Sequence, residues 1–169
     1  MPASRRPSVR ICRKGHPLKN APSGIIDDRP CTASSNKGKT MNIIDHLSVG
    51  VPSIDEARKY YDGLMETLGC TCMAATDGFA AYGNGSVQFL VMLPNDGGTY
   101  TAGNGTHICF AAATREAVDA FHKFGSANGG QCEGEPGPRA AYPKPDIYTT
   151  FVRDPFGNKL EAIHNGFSA

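Results

Sequence analysis

The chain has 169 residues, 40% of them hydrophobic and 20% charged, with a net charge of +1; that length suits one domain with a proper core. No stretch approaches ~18 uninterrupted apolar residues, which excludes a membrane-spanning helix. The charge is uneven: residues 1–40 carry nine Lys/Arg against two Asp, and residues 41–169 carry eight against fourteen acids.

In chain order, residues 1–40 come first, rich in Pro, Ser, Lys and Arg and nearly free of apolar periodicity. Such a stretch buries too little surface to offset its ordering entropy, so a basic, disordered N-terminal extension is expected. Asp27, Asp28 and several prolines argue against an amphipathic transit peptide, and no apolar h-region marks a secretory signal. The cysteines at 12, 31, 70, 72, 109 and 132 show neither C-x-x-C nor zinc-finger spacing. A reducing cytoplasm is the expected location. Basic charge alone is weak evidence for nucleic acid, and GNGS and NDGG lack the strand-to-helix setting of a phosphate loop. Neither nucleic acid nor membrane is an expected partner.

The domain is expected over 41–169. NIIDHLSVGV reads as a strand, and Ser53 with Glu56 three residues on forms a capping box for a helix. Ala57, Tyr60, Tyr61, Leu64 and Leu68 recur along it at helical spacing, and Gly69 ends it. Strands follow near 70–76, 78–82 and 86–93, then the linker NDGGTYTAGNG. The pattern then restarts. THICFAAA is a strand, Thr114 caps a helix carrying Val118, Phe121 and Phe124, and strands follow near 131–135, 146–152 and 158–165. DPFGN sets Pro155 and Gly157 in a tight hairpin between the last two.

The chain thus says one thing twice. At an offset of 61, His46/His107, Leu47/Ile108, Val49/Phe110, Ser53/Thr114, Asp55/Glu116 and Tyr60/Phe121 keep their chemical type. Two βαβββ modules, about 41–94 and 105–166, are predicted. Strand alternation sends Leu47, Val49 and Val51 toward the first helix and His46, Ser48 and Gly50 away from it. Likewise Ile108 and Phe110 face the second helix, while His107, Cys109 and Ala111 look away. Laying SVQFLV over KLEAIH pairs Gln88 with Glu161. Pseudosymmetry would gather His46, His107, Gln88 and Glu161 into a mixed N/O metal site.

DHLSVGVPSIDEARKYYDGL, GTHICFAAATREAVDAF and FVRDPFGNKLEAIH together resemble the vicinal oxygen chelate superfamily, which includes glyoxalase I, bleomycin and fosfomycin resistance proteins and extradiol dioxygenases. The strand–DPxGN–strand ending in a glutamate is the most specific of the three. The resemblance implies an α+β fold in which the two modules form a curved eight-stranded mixed sheet with helices outside. It also implies ligands from the first, fourth, fifth and eighth strands, here His46, Gln88, His107 and Glu161. Many metal-dependent relatives place an acid or histidine where Gln88 stands, so Gln88 is either a weak ligand or a pocket hydrogen-bonder.

The expected cofactor is one divalent cation (Zn, Ni, Co, Mn or Fe), with a small-molecule substrate that chelates through vicinal oxygens. The expected activity is a glyoxalase-like lyase or isomerase, resembling lactoylglutathione lyase, in which Glu161 shuttles the proton. An extradiol-type dioxygenase is the enzyme alternative, and a metal-free binder of an antibiotic or metabolite the non-enzyme one. Ser48 and Cys109 in the rows of small residues, and Tyr142 and Tyr148 around YPKPDIY, are candidates for the pocket wall. Tyr148 reads equally as ordinary strand packing, and Cys109 as a small core residue. His164 has the parity opposite to Glu161, and His16 and His122 are assigned no part in the site. By the same resemblance a homodimer is expected, with the site in one chain or shared between two.

Overall fold

The computed structural model describes residues 43–167; the extension expected over 1–40 lies outside them. The elements run β1 (Leu47–Gly50), α1 (Ile54–Glu66), β2 (Thr71–Ala75), β3 (Phe79–Gly83), β4 (Val87–Met92), β5 (His107–Ala111), α2 (Arg115–Ala127), β6 (Gln131–Pro138), β7 (Tyr148–Arg153) and β8 (Lys159–His164). Both helices start at their predicted caps. The Ser53 hydroxyl accepts from the Glu56 amide at 3.3 Å, and Thr114 accepts from Ala117 at 3.2 Å, each satisfying an otherwise orphaned amide. Gly69, at φ +73, follows the end of α1, a conformation that favours glycine.

Each module builds its own four-stranded mixed sheet, in the order β1-β4-β3-β2 and β5-β8-β7-β6. The first strand of each pairs in parallel with the last, and the hairpin strands pair antiparallel. The class and the two tandem modules are those predicted. The eight strands, however, run as two ladders of four. A side chain of the turn before β8 reaches β1: Asn158 Nδ2 donates to the Gly50 carbonyl at 3.0 Å.

One hydrophobic cluster spans both modules. It takes Val49, Val51, Phe89 and Val91 from sheet 1, Tyr60, Tyr61 and Leu64 from α1, Phe121 from α2, and Ile108, Val152, Leu160 and Ala162 from sheet 2. Phe89 and Phe110 meet edge-to-face at 5.0 Å, and Tyr60 packs 6.3 Å from Phe124, contacts worth ~0.5–1.5 kcal/mol each beyond burial. α1 therefore packs its buried face against its own sheet and touches α2 along one flank, while Asp55, Glu56, Lys59 and Glu66 stay exposed. Both helices lie outside the sheets, as the sequence reading set them; their contact with each other is not encoded in the period of either. Gly63 marks the closest approach, since a Cβ there would lie 2.3 Å from the Phe124 ring.

The DPFGN hairpin locks this arrangement. Buried Asp154 accepts from the amides of Phe156 (3.0 Å) and Asn158 (2.7 Å), from Asn158 Nδ2 (2.9 Å), and from the Tyr61 hydroxyl of α1 at 2.5 Å. Burial, and then the Asp154 carboxylate, hold the Tyr61 hydroxyl well above its ordinary pKa, so it remains a donor.

Candidate functional site

The candidate site is built around Glu161, a buried carboxylate. It sits mid-β8 and is only 2% exposed. A buried carboxylate is costly unless its oxygens are satisfied. Its Oε1 accepts from the Tyr142 hydroxyl at 3.1 Å and lies 2.7 Å from the Thr149 hydroxyl, whose single proton it shares with the Ala162 carbonyl at 2.8 Å. Its Oε2 lies 3.3 Å from His107 Nε2. Thr149 reaches it because Phe151, not Thr149, stands directly opposite Glu161, which leaves Thr149 two residues along the same face of β7. Tyr142 comes from the segment before β7, and desolvation, then the nearby carboxylate, raises its pKa. His107, at the head of β5, is half-exposed.

The other expected residues fall into three groups. Cys109 stands beside Glu161 in the parallel register, and it is exposed rather than a core residue. Desolvation of its sulfur, then the Glu161 charge and its hydrogen bond, push the thiol well above the ordinary range, which makes it a poor nucleophile. Gln88, also exposed, lines a cavity of about 210 Å³ with Leu47, Tyr82, Cys109, Phe110 and Ala111. Exposed Ser48 shares the β1 face with His46. His46 itself lies just before β1, its Nδ1 2.7 Å from Asp45 Oδ1. A carboxylate on one ring nitrogen orients the other for ligation.

Tyr148 does not join the site. It pairs with His164 on the helix-facing side of β7, donates to Asp119 at 2.8 Å and lies 5.3 Å beneath the Arg115 guanidinium. Of its two readings, strand packing is the one the structure has. His164, as its parity predicts, turns toward the Ala112 carbonyl at 3.2 Å.

The register corrects one equivalence. Leu47 pairs with Phe89 and Ile108 with Leu160, so Ser48 faces Leu90 where Cys109 faces Glu161. The counterpart of Glu161 in the first module is Leu90, two residues beyond Gln88. The sequence overlay of β4 on β8 slipped by two because a two-residue slip preserves the alternation of sides. Within one chain the structure brings His107 and Glu161 together, and among the described residues His46 does not converge with them into a three-ligand group. Among the described residues, the His/Cys/Asp/Glu group whose ligand atoms converge is His122, Cys132 and Glu135. Sequence reasoning missed Thr149 and Asp45. Only Asp45 carried a signal, as an acid next to a candidate ligand.

Residues 43–162 match the Glyoxalase/Bleomycin resistance protein/Dioxygenase superfamily. The chain belongs to this superfamily. Among solved structures, a glyoxalase/bleomycin resistance protein from Albidiferax ferrireducens T118 is 37% identical, with 74% of this chain aligned to 100% of that one at a TM-score of 0.66. A glyoxalase-related enzyme from Fulvimarina pelagi (16% identity, 75% and 89% covered, TM-score 0.57) shares the fold. So does a putative glyoxalase from Bacillus halodurans (22% identity, 72% and 95% covered, TM-score 0.57). No protein of curated function matches the chain. The superfamily includes enzymes and resistance proteins, so membership fixes the scaffold and leaves the reaction to the site. No helix among the described residues is long and apolar enough to cross a membrane.

Proposed function

We propose that this chain is a divalent-metal-dependent lyase or isomerase of the glyoxalase type. It acts on a small substrate that presents two adjacent oxygens. His107, Glu161 and His46 of the partner subunit would hold the cation. The observation that carries this reading is the Glu161 carboxylate, buried and fixed through Oε1 by Thr149 and Tyr142, with Oε2 beside the half-exposed His107. That donor set, a hard oxygen and an imidazole on neighbouring strands, fits a borderline divalent cation. A bound cation would act as a Lewis acid toward the substrate oxygens.

The chain's own residues would do the rest. Glu161 Oε2, the oxygen that neither Thr149 nor Tyr142 holds, would take a proton from the carbon beside the substrate oxygens. Thr149 and Tyr142 hold the other oxygen in place, so the carboxylate keeps one orientation. Asp45 holds His46 with Nε2 outward. A second copy is part of the proposal because His46 does not converge with the His107–Glu161 pair in its own chain. Leu47, Met73, Val87 and Met92 of the first module are exposed apolar side chains that a partner could cover.

A second reading gains from one observation. With Leu90 at the fourth-strand position, the protein ligands reduce to two histidines and one carboxylate, the set that suits non-haem Fe(II) and oxygen chemistry. Metal analysis and calorimetric titration of the full chain with Zn²⁺, Ni²⁺ and Fe²⁺ test the shared premise. A turnover panel then separates the reactions: methylglyoxal–glutathione adduct without oxygen, and a catechol with Fe²⁺ and oxygen. Saturable binding lost in Glu161→Gln is expected. A chain that takes up no metal at this pair would be a metal-free binder instead.

A further inference from the structure

We propose that His122, Cys132 and Glu135 form a separate, thiolate-containing site for a zinc-class divalent cation, which clamps α2 to β6. The three ligand atoms lie within 4.8 Å of one another. His122 Nε2 is 3.7 Å from Glu135 Oε2, and Cys132 Sγ is 3.4 Å from Glu135 Oε1. Tetrahedral zinc with bonds of about 2.0–2.3 Å sets its ligand atoms roughly 3.3–3.8 Å apart. These side chains therefore need only small shifts to close on an ion.

Backbone geometry puts them there. Residues 132 and 135 are an odd number apart, and on a regular strand they would point to opposite faces. β6 is irregular between Cys132 and Gly134: Cys132 stands opposite Val152 and Gly134 opposite Phe151, so Glu133 is the extra residue. Such a bulge re-aims the side chains beyond it. A second shift, between Gly134 and Gly137, spans Glu135, whose carboxylate meets Cys132 and His122; the His122 side chain is only 13% exposed. Glu133 turns the other way, to Arg153 at 2.6 Å and Lys159 at 3.3 Å. The cluster thus shares no residue with the His107–Glu161 site.

The chemistry of the set points to a transition metal rather than calcium or magnesium. Imidazole and thiolate select zinc-class ions, whereas hard cations take oxygen ligands. One thiolate and one carboxylate neutralise the two charges of the ion, and Cys132 gives its proton to buffer on binding. Water would complete the shell, leaving the site three-coordinate in protein.

Cobalt titration of the full chain tests this, because a cobalt–thiolate bond gives a near-ultraviolet charge-transfer band that His and carboxylate ligands do not. We expect one equivalent of the band in the wild type and in Glu161→Gln, and its loss in Cys132→Ser. Glu135→Gln should weaken it by at least the about 10- to 100-fold typical of altered metal surroundings. Zn²⁺ should raise the melting temperature of the wild type and not of Cys132→Ser. A wild type without the band would overturn the proposal, as would a band surviving Cys132→Ser or one lost in Glu161→Gln.

Discussion

The two modules share a backbone plan and divide the work unequally. The second carries a buried carboxylate, two hydroxyls that fix it and an adjacent imidazole. The first offers, at the matching register, Leu90 in place of the carboxylate and Ala81 where Phe151 stands. Its histidine lies in the open, 55% exposed beside Asp45. In exchange the first module supplies the aromatic bulk of the common core, with Tyr60, Tyr61, Tyr82 and Phe89 all buried. A duplicated scaffold can keep its packing rules in both copies while ionic chemistry survives in one. A buried acid without a partner costs several kcal/mol, so apolar replacement is the stable outcome wherever the acid has no task.

The largest break in this asymmetry should come from Glu161→Gln. It keeps shape and removes the charge, and metal affinity measured by calorimetry should fall about 100-fold or more, beyond what outer-shell changes cause, with the circular dichroism spectrum unchanged. Next comes the lock between modules. Asp154→Ala leaves the Tyr61 hydroxyl and the Phe156 and Asn158 amides without their acceptor, so urea unfolding should show a loss of about 3 kcal/mol or more. Gly63→Ala is third in size. In an exposed helix that change gains up to about 1 kcal/mol, whereas against Phe124 the added methyl should cost about 1–3 kcal/mol, measured the same way. A stabilised Gly63→Ala would mean the helices do not meet there.

The smallest effect sharpens the comparison from the other side. Leu90→Glu restores to the first module the acid that the second keeps, and it should tighten metal binding by about tenfold, the low end for a change in metal surroundings. Gln88→Ala should leave affinity within error. The reverse result, a loss at Gln88 and no gain at Leu90, would mean the sequence overlay rather than the strand register identifies the ligand position.

The parts of the molecule legible in advance are those with local signals. Caps at Ser53 and Thr114, the helical spacing of Tyr60, Tyr61 and Leu64, and the DPFGN hairpin are local, and they fixed the element order and module count. Parity along one strand placed His107 and Glu161 on one side and His164 on the other. What failed was relational. Alternation repeats every two residues, so it could not tell Gln88 from Leu90. The contact of α1 with α2 depends on Gly63 meeting Phe124, two residues 61 apart whose approach no periodicity announces. The bulge that turns Glu135 toward His122 lies in a Gly- and Pro-containing strand with no alternation to read.

The central claim is that the His107–Glu161 pair of one copy is completed by His46 of another. Two variants lacking metal uptake on their own, His46→Ala and His107→Ala, can be unfolded together, refolded and isolated as the mixed dimer through different affinity tags. In that dimer one pairing joins intact His46 to intact His107 and Glu161, and the other lacks both histidines. Metal bound per mixed dimer, counted in the Cys132→Ser background, should be one, against none in either parent. A mixed dimer with no metal, or a wild-type monomer that binds fully at micromolar concentration, would contradict the shared site.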